Sequence, residues 1–307
     1  MSIQLRWADS GQEVCLVCRR GGYWECNECD ILINSGSYCG SCADDLDDGV
    51  CHCPRCEGYR DDTGGLINSY AYKPRPVFHG EGPMFLGLEL EIESHGDRGE
   101  DARTAADCLG GLGYLKSDGS IDYGFEIVTH PMSYPWAMER FPWRMLDQLK
   151  ANGAGGDHAG LHVHISRAAF TSACHTYRWI KFLYRNADRV KTVARRTSDE
   201  WAAFQDTDRK RAKDYAKGAR DGYRYRAINT QNQHTFELRV FAASLERQEV
   251  QAALGLAAAS VDYTRDLTVA DIARRGGWDW SAFTHWLAER DEYAPLRAEL
   301  EHLACAC

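Results

Sequence analysis

Four short stretches alternate a charged or imidazole side chain with an apolar one. FLGLELEIES places Glu89, Glu91 and Glu93 on one parity against Leu86, Leu88, Leu90 and Ile92 on the other. GLHVHIS does the same with His162, His164 and Ser166, and TFELRVF with Glu237 and Arg239. GFEIVTHP offers Glu126 just after KSDGSID, a turn that carries Asp118. Successive side chains of a β-strand leave opposite faces, so each stretch would present its polar residues together. Taken singly, an acidic strand is a wet surface, a lone histidine is a satisfied polar residue, and Glu-x-Arg is a surface pair of small weight. Taken together, polar faces of Glu, His and Arg, not the Lys, Thr and Ser of ordinary solvent faces, point to one antiparallel sheet with a functional side. Neighbouring carboxylates raise each other's cost of ionisation, and a divalent cation removes that cost. Glu89, Glu91, Glu126, His162 and Glu237 are mainly hard oxygen ligands, which suit Mg2+ or Mn2+ better than Zn2+.

A second chemistry lies in the cysteines. Nine of the 13 fall between Cys15 and Cys56, as CLVC, CNEC, CGSC and CHCPRC. Four C-x-x-C pairs result: Cys15/Cys18, Cys26/Cys29, Cys39/Cys42 and Cys53/Cys56. Eight thiolates complete two closed tetrahedral shells, so two structural Zn2+ are expected. Sequential and interleaved pairings can both be built; the interleaved form, first pair with third and second with fourth, ties a small fold together twice and is preferred. Cys51 and His52 are spare, and either could replace a neighbour. A redox role would need one such pair in a thioredoxin-like setting. Clustering without a secretory leader also argues against a disulfide scaffold. The acidic run ADDLDDG in this segment disfavours phosphate, so docking of a protein or a purely structural role is expected of the module.

The elements that must position these groups follow from pattern and composition. The 307 residues are 44% hydrophobic, enough for a sizeable core, and the formal net charge of -9 disfavours a general nucleic-acid partner. No apolar leader opens the chain, and VQAALGLAAASV is too short to span a bilayer, which predicts a cytoplasmic protein with no membrane partner. Helical spacing predicts one helix from Ser166 to Ala194, a buried alanine-rich helix from Glu246 to Tyr263, and two more in TVADIARR and DWSAFTHWLAERDEYAPLRAELEHL. EGYRDDTGG reads as a linker and YKPRPVFHGEGP as an extended arm. The expected organisation is a zinc module at 1–60, linker and arm at 61–84, a catalytic domain at 85–263 and a helical segment at 264–307. The basic stretch 195–220 is read either as a solvated helical face or as bringing Arg195 or Arg196 to phosphates or an acidic substrate. Arg226 and Asn229 of YRAIN lead into the last strand, within reach of a substrate.

In the order GLELEIE, SDGS, GFEIVTHP, GLHVHIS, YRAIN and FELRVF, the chain resembles the amidoligase family. These are bacterial and phage proteins of the glutamine-synthetase-like carboxylate-amine ligase superfamily. The resemblance covers about YKPRPVF to the helix after TFELRVF, and excludes the cysteine module and the tail after about Thr264. It implies an α+β fold with an antiparallel sheet curved around an ATP site, and the joining of a carboxylate to an amine through an acyl phosphate. It implies Glu89, Glu91, Glu126, His162 and Glu237 as Mg2+ or Mn2+ ligands, and Arg239 as the arginine that holds the transferred phosphate. It also sets His164 near the nucleotide and Asp118 near metal or amine. Substrates could be small molecules, peptides or proteins. The rival readings are a phosphotransferase of the same fold, a metal-dependent hydrolase, and a non-catalytic adaptor centred on the zinc module.

Overall fold

The computed structural model describes residues 63–121, 123–156, 159–198, 200–220 and 223–305, together with four short strands nearer the N-terminus. The chain divides into two compact units, Met1–Gly65 and Leu66–Cys307. In the first, β1 (Leu5–Trp7) pairs antiparallel with β2 (Glu13–Cys15), and β3 (Trp24–Glu25) with β4 (Leu32–Ile33). Of the eight expected zinc ligands, Cys18, Cys26, Cys29, Cys39, Cys42, Cys53 and Cys56 lie outside the described residues, as does the side chain of Cys15.

The second unit is a mixed α+β structure around one open sheet of seven strands. These are β5 (Ile67–Asn68), β6 (Leu86–Glu93), β7 (Gly113–Lys116), β8 (Gly124–Thr129), β9 (Gly160–Ser166), β10 (Ile228–Asn229) and β11 (Thr235–Ala242). They are ordered β10-β11-β9-β6-β8-β7-β5, and all neighbours are antiparallel except β5, which runs parallel to β7. The stretch read as linker and arm therefore supplies an edge strand. Period-two alternation fixes which side is buried: Leu86, Leu88, Leu90, Ile92, Leu115, Phe125, Ile127, Leu161, Val163, Ile165, Phe236 and Leu238 are all at most 3% exposed. Burying each such side chain stabilises the fold by roughly 1.5–3 kcal/mol, and slipping any strand by one residue would forfeit that.

Ten α-helices complete the described part of this unit. They are α1 (Arg98–Leu109), α2 (Tyr134–Arg140), α3 (Arg144–Ala151), α4 (Ala173–Arg185), α5 (Ala187–Ala194), α6 (Asp206–Ala216), α7 (Arg247–Arg265), α8 (Val269–Arg274), α9 (Trp280–Ala288) and α10 (Ala294–Cys305). The alanine-rich α7 is buried along most of its length, because small side chains let β9, α4 and α10 approach it closely. From α4, Trp179 packs on Phe236 of the apolar sheet face, and its indole N–H donates to Ser260 of α7.

Two helical expectations are corrected. The run from Ser166 to Ala194 is not one helix, since Ser166 ends β9 and the helix breaks at Asn186. The Asn186 amide donates to the carbonyls of Phe182 and Trp278, exchanging helical continuity for a tie to the chain entering α9. The last predicted helix is two, α9 and α10, because Pro295 lacks an N–H and is tolerated only in a first helical turn. Among the described residues no helix is long and apolar enough to cross a membrane.

Candidate functional site

Strand register assembles the site. Glu91 lies opposite Glu126 across β6 and β8, and Lys116 lies opposite Glu126 across β7 and β8. Glu89 faces His162 across β6 and β9, His164 faces Glu237 across β9 and β11, and Asn229 faces Glu237 across β10 and β11. Directly opposed residues share a face, so all of these project from the side away from the core. A bulge between Leu238 and Phe241 gives β11 an extra residue opposite His162 and returns Phe241 to the apolar side, against Leu161.

Three overlapping triads result, each with its donor atoms within 4.8 Å: Glu89/His164/Glu237, Glu89/Glu126/His162 and Glu91/Asp118/Glu126. The five residues expected as Mg2+ or Mn2+ ligands are therefore brought together, along with Asp118 and His164. Asp118 itself sits in a turn, where its Oδ1 accepts from the backbone N–H and hydroxyl of Ser120. His164 Nε2 is 3.2 Å from Glu89 Oε1, while its Nδ1 lies 3.0 Å from the Thr235 hydroxyl. His162 is 4% exposed, and its Nδ1 has no hydrogen-bond partner among the described residues. That atom stands 3.6 Å from Glu89 and 3.7 Å from Glu237. A buried nitrogen facing two carboxylates beyond hydrogen-bond reach suits a shared ion, so the residues present fit a divalent cation. Glu91 accepts from the backbone N–H of Gly160 at 2.5 Å.

Protonation differs sharply across the cluster. Burial opposes ionisation of Glu89, yet the adjacent His164 and His162 hold its carboxyl well below the usual range. Burial likewise opposes charge on His164, but Glu89 outweighs it and pushes the imidazole up to about 9. Glu237 is lowered, with His164 overcoming burial. Glu126 goes the other way: burial and the charge of Glu89 push it up to about 8 against the pull of Lys116. One carboxyl thus stays protonated at neutral pH because carboxylates within 4.8 Å would repel by roughly 3–4 kcal/mol at an effective dielectric near 20.

Cationic residues edge the cluster. Arg239 Nη1 donates to Glu237 Oε1 at 2.5 Å, and its Nε donates to the Trp201 carbonyl. Arg196 donates to the Phe241 carbonyl, and its guanidinium lies beside the Glu91 carboxylate at Gly160. Two expected contacts are corrected. Arg195 ends α5 with φ 53° and is held by Glu249 of α7 at 3.0 Å and by buried Glu299 of α10 at 2.6 Å, on the helical side of the sheet. Arg226 pairs with fully buried Asp208 of α6 and with the Tyr215 hydroxyl, which ties the chain entering β10 to the helices instead of offering its charge to a substrate. Asn229 is near the cluster, but as a brace: its Nδ2 donates to Glu237 Oε2 at 2.7 Å, joined by Asn232 at 3.1 Å.

Sequence reasoning missed Lys116 and Asn232. The alternation of Tyr114 and Lys116 in GYLKSDG was the available signal, since it puts Lys116 on the parity that faces Glu126. Asn232 carried none, because only the turn between β10 and β11 brings it to Glu237. Compared with family models and with curated proteins, the chain matches none.

Proposed function

We propose that the unit 66–307 is an ATP- and Mg2+-dependent carboxylate-amine ligase of the amidoligase type. The observation that supports this most is the convergence of Glu89, Glu91, Glu126, His162 and Glu237, drawn from four strands, on one face of the sheet. A carboxylate is a poor acyl donor because its leaving group would be oxide. ATP converts it to an acyl phosphate, which an amine then displaces. Glu89, His162 and Glu237, with Glu126 and Glu91, would hold Mg2+, which supplies charge neutralisation for the phosphates and the incoming carboxylate. Arg239 places a guanidinium at the edge of this basin, oriented by Glu237 and the Trp201 carbonyl, where it can stabilise a moving phosphoryl group. Neutral in the metal-free protein, Glu126 would give up its proton on binding Mg2+. The N-terminal cysteine segment, as a zinc module, would dock a protein or help position a substrate.

The test is product analysis on the full chain with ATP, Mg2+ and panels of amino acids and peptides. A ligase releases ADP and free phosphate in equal amounts with a new amide, and Glu91→Ala abolishes both. A phosphorylated acceptor without free phosphate indicates a phosphotransferase, and turnover without nucleotide a hydrolase. Undiminished ligation by the Glu91→Ala protein would remove the metal assignment.

A further inference from the structure

Five strands separate the two edges of the sheet, yet side chains beside those edges meet. Tyr70 follows β5 at one edge, and Arg224 precedes β10 at the other. Arg224 Nη1 donates to the Tyr70 hydroxyl at 2.8 Å, and its Nη2 donates to the Tyr225 hydroxyl at 3.1 Å. Both phenol rings rest on cations that rise from the polar face. The Tyr70 ring lies 5.3 Å from Lys116 Nζ, which is 3.0 Å from Glu126. The Tyr225 ring lies 5.8 Å from the guanidinium of Arg239, which holds Glu237. An unbroken line of contacts therefore rises from Glu126 of β8 through Lys116 and Tyr70 to Arg224, and descends through Tyr225 and Arg239 to Glu237 of β11. Strands β6 and β9 lie between those feet, so Glu89, Glu91, His162 and His164 sit beneath the line. Its crown is its weakest part: Tyr70 is 50% exposed, Arg224 is exposed, and β5 pairs with β7 through two residues. An exposed hydrogen bond between two irregular segments opens far more readily than the sheet below it.

Resting on the reading that this basin holds a nucleotide on its metal ions, we infer that Tyr70 and Arg224 form a latch over its mouth, which opens to pass the nucleotide and shuts behind it. Opening is then a step of every turnover, ahead of nucleotide binding and again ahead of product release. Neither residue belongs to the metal-holding triads, so the latch governs the rates of entry and exit and not the affinity for the ion. The Tyr70 ring stays on Lys116 when its hydroxyl is lost, so removing the hydroxyl breaks the crown and spares the leg.

The experiment mixes full-length protein and Mg2+ in stopped flow with a fluorescent methylanthraniloyl derivative of the non-hydrolysable β,γ-imido analogue of ATP. Tyr70→Phe removes the hydroxyl and keeps the ring, and Arg224→Met removes the donor; equilibrium dialysis with Mn2+ confirms that each retains the wild-type metal affinity. Expected in the Tyr70→Phe protein are association and dissociation both faster by about three-fold to ten-fold, with a dissociation constant within about two-fold of the wild type. Dissociation from the Arg224→Met protein quickens by a similar factor, and adding Tyr70→Phe to it brings no further gain, because both remove the same contact. Wild-type rates in the Tyr70→Phe protein, or accelerations that multiply in the double variant, overturn the latch and leave the nucleotide reading intact. Faster dissociation with unchanged association makes Tyr70 a contact of the nucleotide and overturns the latch as well. A wild type that binds Mn2+ but not the analogue removes the nucleotide reading and the latch with it.

Discussion

With divalent ions withheld, raising the pH from about 6.5 to about 9.5 should weaken the unit 66–307, and Glu89→Gln should remove most of that loss. The folded-state pKa of His164 is raised from 6.5 to about 9, with Glu89 outweighing burial. A raised pKa means that the proton is held more tightly in the folded state. The stability it brings is complete below 6.5 and is lost as pH rises through 9. At about 1.36 kcal/mol per pH unit, the shift contributes about 3 kcal/mol. Glu126, raised from 4.5 to about 8, has the same sign; its contribution is lost as pH rises from 4.5 through 8, and the part between 6.5 and 8 adds about 2 kcal/mol to the loss. Glu89 and Glu237 are lowered, so their contributions lie above the ordinary carboxylate range and stay constant over this interval. Replacing Glu89 removes the main upward influence on His164 and a leading one on Glu126, so both return toward ordinary values. Urea unfolding followed by tryptophan fluorescence, at several pH values for both proteins, should give a wild-type stability that falls by about 5 kcal/mol and a variant profile flatter by most of that amount. Excess Mg2+ should restore more stability at the high end than at the low end, because the ion takes over from protons already lost. A flat wild-type profile, or the same slope in the Glu89→Gln protein, would refute the electrostatic account of the cluster.

Three further outcomes follow from particular contacts. Glu126 near 8 is mostly protonated at pH 7, so Mg2+ binding should release close to one proton, measured by titration calorimetry in buffers of different ionisation enthalpy. Asn229→Ala removes the 2.7 Å donor to Glu237 and leaves a buried carboxylate oxygen partly unmet. It should cost about 1–3 kcal/mol in urea unfolding and lower Mn2+ affinity by about 10–100-fold in calorimetry. At Gly124 an added Cβ would run into the backbone carbonyl of Ile92 on the paired strand. Gly124→Ala should therefore destabilise the unit by about 1–3 kcal/mol or more, read from the urea midpoint, and weaken Mn2+ binding by parting Glu91 from Glu126.

Legibility in the sequence follows the range of the physics involved. The alternation in FLGLELEIES, GLHVHIS and TFELRVF already separates a core face from a polar one, because side-chain direction in a strand depends only on parity. That sufficed to put Glu89, Glu91, Glu126, His162 and Glu237 on one side of a shared sheet. Alanine content marked α7 as buried for an equally local reason: small side chains permit close approach all round. The breaks at Asn186 and before Pro295 were harder, since an apolar stripe continues across each of them.

Parity says which face a residue takes but not which strand lies beside it. The order β10-β11-β9-β6-β8-β7-β5 and its register are long-range facts, and they alone set Glu89 against His162 and His164 against Glu237. Of the two adjacent arginines 195 and 196, the sequence offered no choice. The left-handed turn at Arg195 sends it back to Glu249 and Glu299 and leaves Arg196 beside Glu91, because a buried carboxylate such as Glu299 binds the guanidinium that tertiary packing brings to it.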